Sequence, residues 1–297
     1  MNYLVTGGAG FIGSNLVDRL IDLGNNVTVI DNEYSKAHDQ FYWNKKAKNY
    51  KLDIRDYQNT KNLYNGIDCV FHVAAESRVQ PAIDNPIESI SINSVGTATV
   101  LECSKEAGVK KIIYSSTSSA YGKNPVPNHE LQTDDCLNAY SVSKVNGEKL
   151  CSMYTQLFGI ETIIFRYFNV YGERQPLKGE FAPVVGLFMK QFKDKQPLTI
   201  VGDGNQKRDF THVSDVVEAN ILASQVKNGF GEVYNIGFGQ NYSILDIANM
   251  ISDNVTFVPA RIGEARETLA SYKKFNNLTG WTPKVSLKEW LMKGAIK

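Results

Sequence analysis

The chain has 297 residues, 42% of them hydrophobic, ample for one large or two closely joined domains with a buried core. Lys and Arg number 32 against 31 Asp and Glu, so the net charge of +1 sets up no overall field for nucleic acid or an anionic membrane, and the basic cluster Lys45-Lys46-Ala47-Lys48 reads as solvated surface. No apolar run is long enough to span a bilayer, the cysteines (Cys69, Cys103, Cys136, Cys151) lack C-x-x-C spacing and the histidines (His38, His72, His129, His212) lack ligand spacing, so a reduced, metal-free protein of the cytoplasm is expected.

Tyr3-Leu4-Val5-Thr6 predicts a buried strand, whose start at residue 3 leaves no room for a signal peptide. Gly7-Gly8-Ala9-Gly10-Phe11-Ile12-Gly13 predicts a glycine turn opening a helix over 14–23, and Val27-Thr28-Val29-Ile30 a second strand that delivers Asp31 at its carboxyl end. Strand, glycine turn, helix and terminal acid together describe a dinucleotide site. Gly7, Gly10 and Gly13, with Phe11 and Ile12, let backbone N–H groups approach a pyrophosphate where the helix dipole favours negative charge. Asp31, with Asn32 beside it, would accept hydrogen bonds from the adenosine ribose hydroxyls and repel a 2′-phosphate, which points to NAD rather than NADP.

Residues 32–48 are polar and aromatic, an expected irregular excursion. Tyr50-Lys51-Leu52 predicts a third strand running into Asp53-Ile54, and Cys69-Val70-Phe71-His72-Val73 a fourth that ends at Ala74-Ala75. Helical spacing over 87–107, a fifth strand at Lys111-Ile112-Ile113-Tyr114, a helix over 140–158 and a strand at Thr162-Ile163-Ile164-Phe165 continue the alternation. Such a rhythm predicts an α/β fold, a doubly wound Rossmann-type parallel sheet whose strands aim their carboxyl ends at one crevice. From about Gly172, loops rich in Gly, Pro and polar residues separate shorter elements. The expected organisation is an NAD-binding domain over 1–171, rejoined by a helix and strand within 213–235, and a smaller interleaved α/β substrate domain over 172–297.

Tyr140 and Lys144 stand at i and i+4, on one face of a helix. A phenol beside an ammonium suits proton abstraction from a sugar hydroxyl, because the positive charge pulls the phenol down toward working pH. Tyr42 with Lys46 and Tyr57 with Lys61 share the spacing, but only Tyr140 follows a strand that ends in Ser115-Ser116-Thr117-Ser118-Ser119. A hydroxyl there can bond the substrate oxygen and relay its proton.

The chain resembles the extended short-chain dehydrogenase/reductases, specifically the nucleotide-sugar epimerases and their relatives, over essentially its whole length. The resemblance rests on Thr6-Gly7-Gly8-Ala9-Gly10-Phe11-Ile12-Gly13, Asp31-Asn32, Asp53-Ile54, His72-Val73-Ala74-Ala75, Asn93, Tyr121-Gly122, Tyr140…Lys144 and Arg166-Tyr167-Phe168-Asn169-Val170-Tyr171-Gly172. It implies that Asp53 and Ile54 bracket the adenine, that Ala74 and Asn93 lie along the cofactor, that Tyr167 sits near the nicotinamide, and that Thr117 is the catalytic hydroxyl. It also implies a homodimer pairing the helices near 87–107 and 140–158.

Relatives that dehydrate the sugar carry Asp-Glu after the catalytic threonine, where this chain has Ser118-Ser119. The resemblance therefore implies 4-epimerisation of a UDP-hexose through a 4-keto intermediate, although Glu76-Ser77-Arg78-Val79 looks more like the dehydratase pattern. UDP-glucuronate epimerisation, with Arg78 as the cation for the C6 carboxylate, is an alternative, as is net nucleotide-sugar oxidoreduction or dehydration. A nucleotide sensor without catalysis would not need Tyr140 with Lys144. On the substrate side the resemblance assigns the diphosphate to Asn169, Arg208 and Arg261, with Arg266 equally able to take the place of Arg261. It assigns the ribose to Glu264, and adds Val184 and Thr199 near the base. Thr268, small and seven residues beyond Arg261, implies room for an N-acetyl group at the sugar C2, and Gly186 implies a looser pocket loop.

Overall fold

The computed structural model of the chain describes residues 1–36, 38, 40–177 and 182–292. Its first half supplies β1 (Asn2–Thr6), β2 (Asn26–Asp31), β3 (Lys48–Lys51), β4 (Cys69–His72), β5 (Lys111–Thr117) and β6 (Glu161–Tyr167). Side chains alternate along each strand, so one strand feeds two cores. Tyr3, Val5, Ile113 and Phe165 enter one layer, where they meet Leu16, Val17 and Leu20 of α1 (Phe11–Asp22). Leu4, Ile112, Tyr114 and Ile164 enter the other, against Val100, Leu101 and Cys103 of α5 and Cys151 and Tyr154 of α6. Between β3 and the fifth helix lie α2 (Tyr57–Thr60), α3 (Val79–Asp84) and α4 (Pro86–Ile90); α5 spans Gly96–Glu106 and α6 Ala139–Phe158.

The second half contributes β7 (Val170–Tyr171), α7 (Val184–Lys193), β8 (Leu198–Val201), β9 (Lys207–Asp209), β10 (Thr211–His212), α8 (Val213–Ala223), β11 (Glu232–Ile236), β12 (Asn241–Ser243), α9 (Ile244–Ile251), β13 (Val255–Val258), α10 (Lys273–Thr279) and α11 (Leu287–Trp290). β11 pairs in parallel with β6 and α8 packs on the α1 layer, so residues 213–236 extend the main sheet. The seven strands run β3-β2-β1-β4-β5-β6-β11, all parallel. Strand order reverses between β1 and β4, and in such sheets the ligand crevice opens at that switch point. A separate apolar core formed by Val185, Phe188, Leu198, Ile200, Ile244, Ile247 and Leu287 lies under the C-terminal elements.

Several element boundaries differ from the periodicity, for identifiable reasons. β3 starts two residues before the predicted strand; it is a short, exposed edge with a lysine at each end, where no apolar alternation marks its limits. β5 runs on to Thr117, so Ser115, Ser116 and Thr117 belong to the strand itself. The helix expected over 87–107 is broken by one wide π turn at Ser91–Val95. That turn holds Asn93, whose amide is thereby turned toward Glu76 rather than along the helix: Oδ1 accepts from Glu76 N–H and Nδ2 donates to Glu76 C=O, both at 2.9 Å. The four cysteines are free thiols, and no helix among the described residues is long and apolar enough to cross a membrane.

Candidate active site

The carboxyl ends of β1, β2, β4, β5 and β6 open into one cavity of about 1260 Å³. That is larger than the usual range of about 300–1,000 Å³ for a ligand pocket. Gly7, Gly10, Phe11, Ile12, Gly13, Asp31, Asn32, Asp53, Ile54 and Ala74 line its sheet side; Thr117, Tyr140 and Tyr167 also line it. Arg78, Asn169, Val184, Thr199, Arg208, Arg261 and Glu264 complete the set of predicted residues found on its wall.

The glycine turn is built by close approach. A Cβ on Gly13 would lie 2.1 Å from Gly7 O, and one on Gly7, which has φ +69°, 2.7 Å from Ala74 N. Gly10 is different. Its backbone is extended (φ −80°, ψ −171°), a Cβ there would meet nothing nearer than 3.5 Å, and it caps α1 with no side-chain hydrogen bond. Neither backbone nor packing requires glycine at 10, and its lack of a side chain leaves the N-terminus of α1 open toward the cavity. Asp31 is 8% exposed and takes one N–H on each oxygen, from Ala9 (3.0 Å) and Glu33 (2.8 Å). Burial pushes its carboxyl up, against those two bonds. A carboxylate has about four acceptor positions, more than these two bonds use. These residues fit the dinucleotide. Asp53 is held by Asn32 and by Arg55, an arginine that no sequence motif marks.

The proposed catalytic groups come from two elements locked together. Thr117 ends β5 and Tyr140 is the second residue of α6. A Cβ on Gly147 would lie 2.2 Å from Tyr114 Oη, so glycine in mid-helix lets α6 seat directly on β5. The five-hydroxyl cluster then divides its work. Ser115 donates to Tyr167 Oη (3.2 Å), and Ser116 bonds Glu148, itself paired with the buried Arg166 (2.9 and 2.6 Å). Thr117 faces Tyr140.

The electrostatics correct one expectation. The phenol of Tyr140 is not pulled down: burial pushes it up to about 12, the Thr117 hydroxyl opposes, and the Glu76 carboxylate adds to the rise. Burial likewise lowers the Lys144 ammonium to about 7. Lys144 is 2% exposed and its Nζ lies over the Tyr114 ring, 4.2 Å from the centroid, so desolvation governs both groups.

Lys144, Asn93 and Thr268 do not line the cavity. Lys144 is buried against Tyr114, and Asn93 hydrogen-bonds Glu76, which stands between the wall residues Ala75 and Ser77, and Ser143 (3.0 Å). Thr268 is buried behind β9, where its Oγ1 accepts from Asp209 N–H at 3.4 Å, so its size does not set the room beside a sugar. Gly186 tightens rather than loosens: its Cβ would sit 2.4 Å from Pro176 O, so glycine lets α7 close on that loop.

On the far wall Arg208 is largely desolvated, which lowers its pKa, with Glu264 opposing. Its contacts are two backbone carbonyls (Lys207 at 3.0 Å, Arg266 at 3.3 Å) and Glu264 at 3.5 Å. A guanidinium with these contacts keeps hydrogen-bond donors to spare on the cavity wall. Arg261 lies on the wall, whereas Arg266 forms an exposed two-pronged pair with Asp203 (2.8 and 2.7 Å) away from it. Asn169 keeps a left-handed backbone (φ +24°) and donates to Asp209 O at 2.9 Å. Gln191, which brackets Thr199 through both its amide atoms, and Gln206, whose buried Oε1 has no protein partner, also line the wall. No motif in the sequence marks either. Arg78 is tied to the buried Glu76 by two bonds of 3.0 Å.

The NAD-dependent epimerase/dehydratase family model matches residues 3–237. A putative UDP-glucose 4-epimerase of Methanocaldococcus jannaschii is 38% identical over 296 residues, 96% of this chain and 94% of that protein. A UDP-glucuronate 4-epimerase of Thermodesulfobacterium geofontis is 34% identical over 308 residues, 97% and 93% of the two chains. Among solved structures, a UDP-glucose 4-epimerase of Thermotoga maritima with UDP-glucose aligns at a TM-score of 0.93 and 35% identity, over 99% of this chain and 97% of that one. Fold, nucleotide crevice and sequence agree: the chain belongs to the NAD-dependent epimerase/dehydratase family.

Proposed function

We propose that the protein inverts C4 of a UDP-hexose such as UDP-glucose or UDP-galactose, with NAD retained between turnovers. The observation that carries this reading is Thr117 facing Tyr140 on the cavity wall, followed by Ser118 and Ser119 rather than by carboxylates. Bound NAD⁺ would lie along the glycine turn, Asp31 and Asp53 and supply the carbon that takes the C4 hydride and gives it back. Tyr140 takes the O4 proton and returns it after the 4-keto ring has turned over; Thr117 bridges the two oxygens, and Lys144 supports the phenolate from beneath. Arg208, Arg261 and Asn169 hold the diphosphate and Glu264 the ribose, while the wall leaves the hexose space to turn.

Two alternatives fare worse. The carboxylate whose charge reaches Tyr140 is Glu76, and its two-pronged pair with Arg78 leaves it unsuited to losing water. The same pair already occupies the Arg78 guanidinium, which leaves it little to offer the C6 carboxylate of a uronate. Purified protein supplied with UDP-galactose but no added cofactor should form UDP-glucose, and should turn over UDP-glucuronate more slowly; UDP-N-acetylglucosamine is the third arm of the assay. Strict dependence on added NAD(P)H would overturn the reading.

The division at residue 171, a location in the cytoplasm and a homodimer belong to the same proposal. The dimer is supported by an apolar face on adjacent helices: Ile87 is 80% exposed and Val95 54%, with Ile90 beside them and Val142, Met153 and Leu157 exposed on α6. Light scattering should give a dimer for the native chain and a monomer after Ile87→Glu with Val95→Glu; a native monomer would remove the dimer from the proposal.

A further inference from the structure

Residues 259–264 follow β13 and form an arm across the cavity, with Pro259, Arg261, Ile262 and Glu264 on the wall. The arm is tied to the opposite side at two points. Gln80 Nε2 donates to Ile262 O at 2.9 Å, and Asn138 Nδ2 donates to Gly263 O at 2.8 Å. Gly263 has φ +76°, and a Cβ there would lie 3.0 Å from Ile83 Cδ1 and 3.5 Å from Asn138 Cβ, so glycine permits both the turn and the close approach.

Asn138 is also the N-cap of α6. Its Oδ1 accepts from Ser141 N–H at 2.8 Å, and its own N–H returns a 3.3 Å bond to Ser141 Oγ, closing a capping box around Tyr140. One amide therefore serves both tasks: its oxygen fixes the helix turn that carries Tyr140, and its nitrogen holds the arm that carries Arg261 and Glu264. We propose that Asn138 is a positioning residue that couples seating of the substrate arm to the placement of Tyr140, so that a seated nucleotide and an aligned base come together. The inference rests on the 4-epimerase reading.

Chemistry separates the two tasks. Asn138→Ser and Asn138→Asp both keep a good cap oxygen, but Ser is too short to reach Gly263 and Asp has no donor. Both variants should keep the native Tm and NAD content. Both should lose about tenfold in kcat at saturating UDP-galactose and gain about tenfold in KM, the size of an ordinary coupling between sites. A rise in KM alone would make Asn138 a mere tether, and a fall in kcat alone would separate the tie from nucleotide seating; either overturns the coupling, as would an Asp variant with wild-type kinetics. Hydrogen exchange on NAD-loaded protein tests the tie apart from any reaction. Amides of 260–264 should exchange faster in both variants while those of the first turn of α6 stay unchanged. An arm equally protected in the variants overturns the inference even if epimerase activity is established, and a wild type inactive on every UDP-sugar overturns the functional reading while leaving the exchange result to judge the tie.

Discussion

Tyr140→Phe should lower kcat by about 10³-fold while the protein keeps its NAD and its fold. General acid–base groups contribute about 10²–10⁴-fold, and the groups beside the phenol are poor replacements for it. Glu76 is paired with Arg78, His72 is buried and held neutral by desolvation with its pKa at about 3, and Ser118 and Ser119 are weak bases. The ring of Tyr140 is 9% exposed, so losing one oxygen leaves the packing of α6 intact. The phenol sits at about 12, so it must lose its proton before it can take one from O4, and the wild-type kcat/KM should rise with pH through the neutral range. The Phe variant should show no such rise. Steady-state kinetics across pH, with NAD content measured after denaturation, check both parts. Wild-type turnover by Tyr140→Phe would remove the phenol from the chemistry.

That constellation is legible in the sequence because each member sits at the edge of a regular element. A tyrosine and lysine one turn apart occur three times, and the strand ending in hydroxyls singles out the pair at Tyr140. The Rossmann-type sheet is legible for the same reason: strands buried on both faces read as apolar runs, as in Tyr3-Leu4-Val5 and Ile112-Ile113-Tyr114. The features that escape the sequence depend on contacts far apart in the chain. Desolvation decides the charge of Tyr140 and Lys144, and burial is a property of the packed molecule, not of spacing. Asn93 stands out in the sequence, but not the wide turn that aims it at Glu76, since a π turn leaves no periodic mark. Gly186 suggests freedom and is close packing against Pro176. Thr268 falls beside the sugar when counted from Arg261, yet a strand crossing at β9 puts it behind the wall.

Counting along the chain also leaves Arg261 and Arg266 interchangeable, and geometry separates them. Arg208→Leu should weaken UDP binding by about 100-fold with NAD retained, because truncating one partner of a desolvated charge pair is worth about 2–5 kcal/mol. Two effects add. The diphosphate loses a forked donor, and Glu264 is left beside it without its 3.5 Å partner, so a stabilising charge is replaced by a repelling one. Leucine keeps much of the side-chain volume near β9, so the loss should appear in affinity rather than in Tm. Arg266→Ala should change affinity less than about twofold, since an exposed pair such as Arg266–Asp203 contributes about 0–1 kcal/mol and stands off the wall. Titration calorimetry with UDP on the NAD-loaded protein compares the two directly. Normal UDP affinity in Arg208→Leu together with a large loss in Arg266→Ala would put the phosphate on the other arginine. The expected order follows from a physical rule: a guanidinium whose counter-charge is already matched at the surface has little to offer a ligand, and one desolvated with its charge half-matched has much.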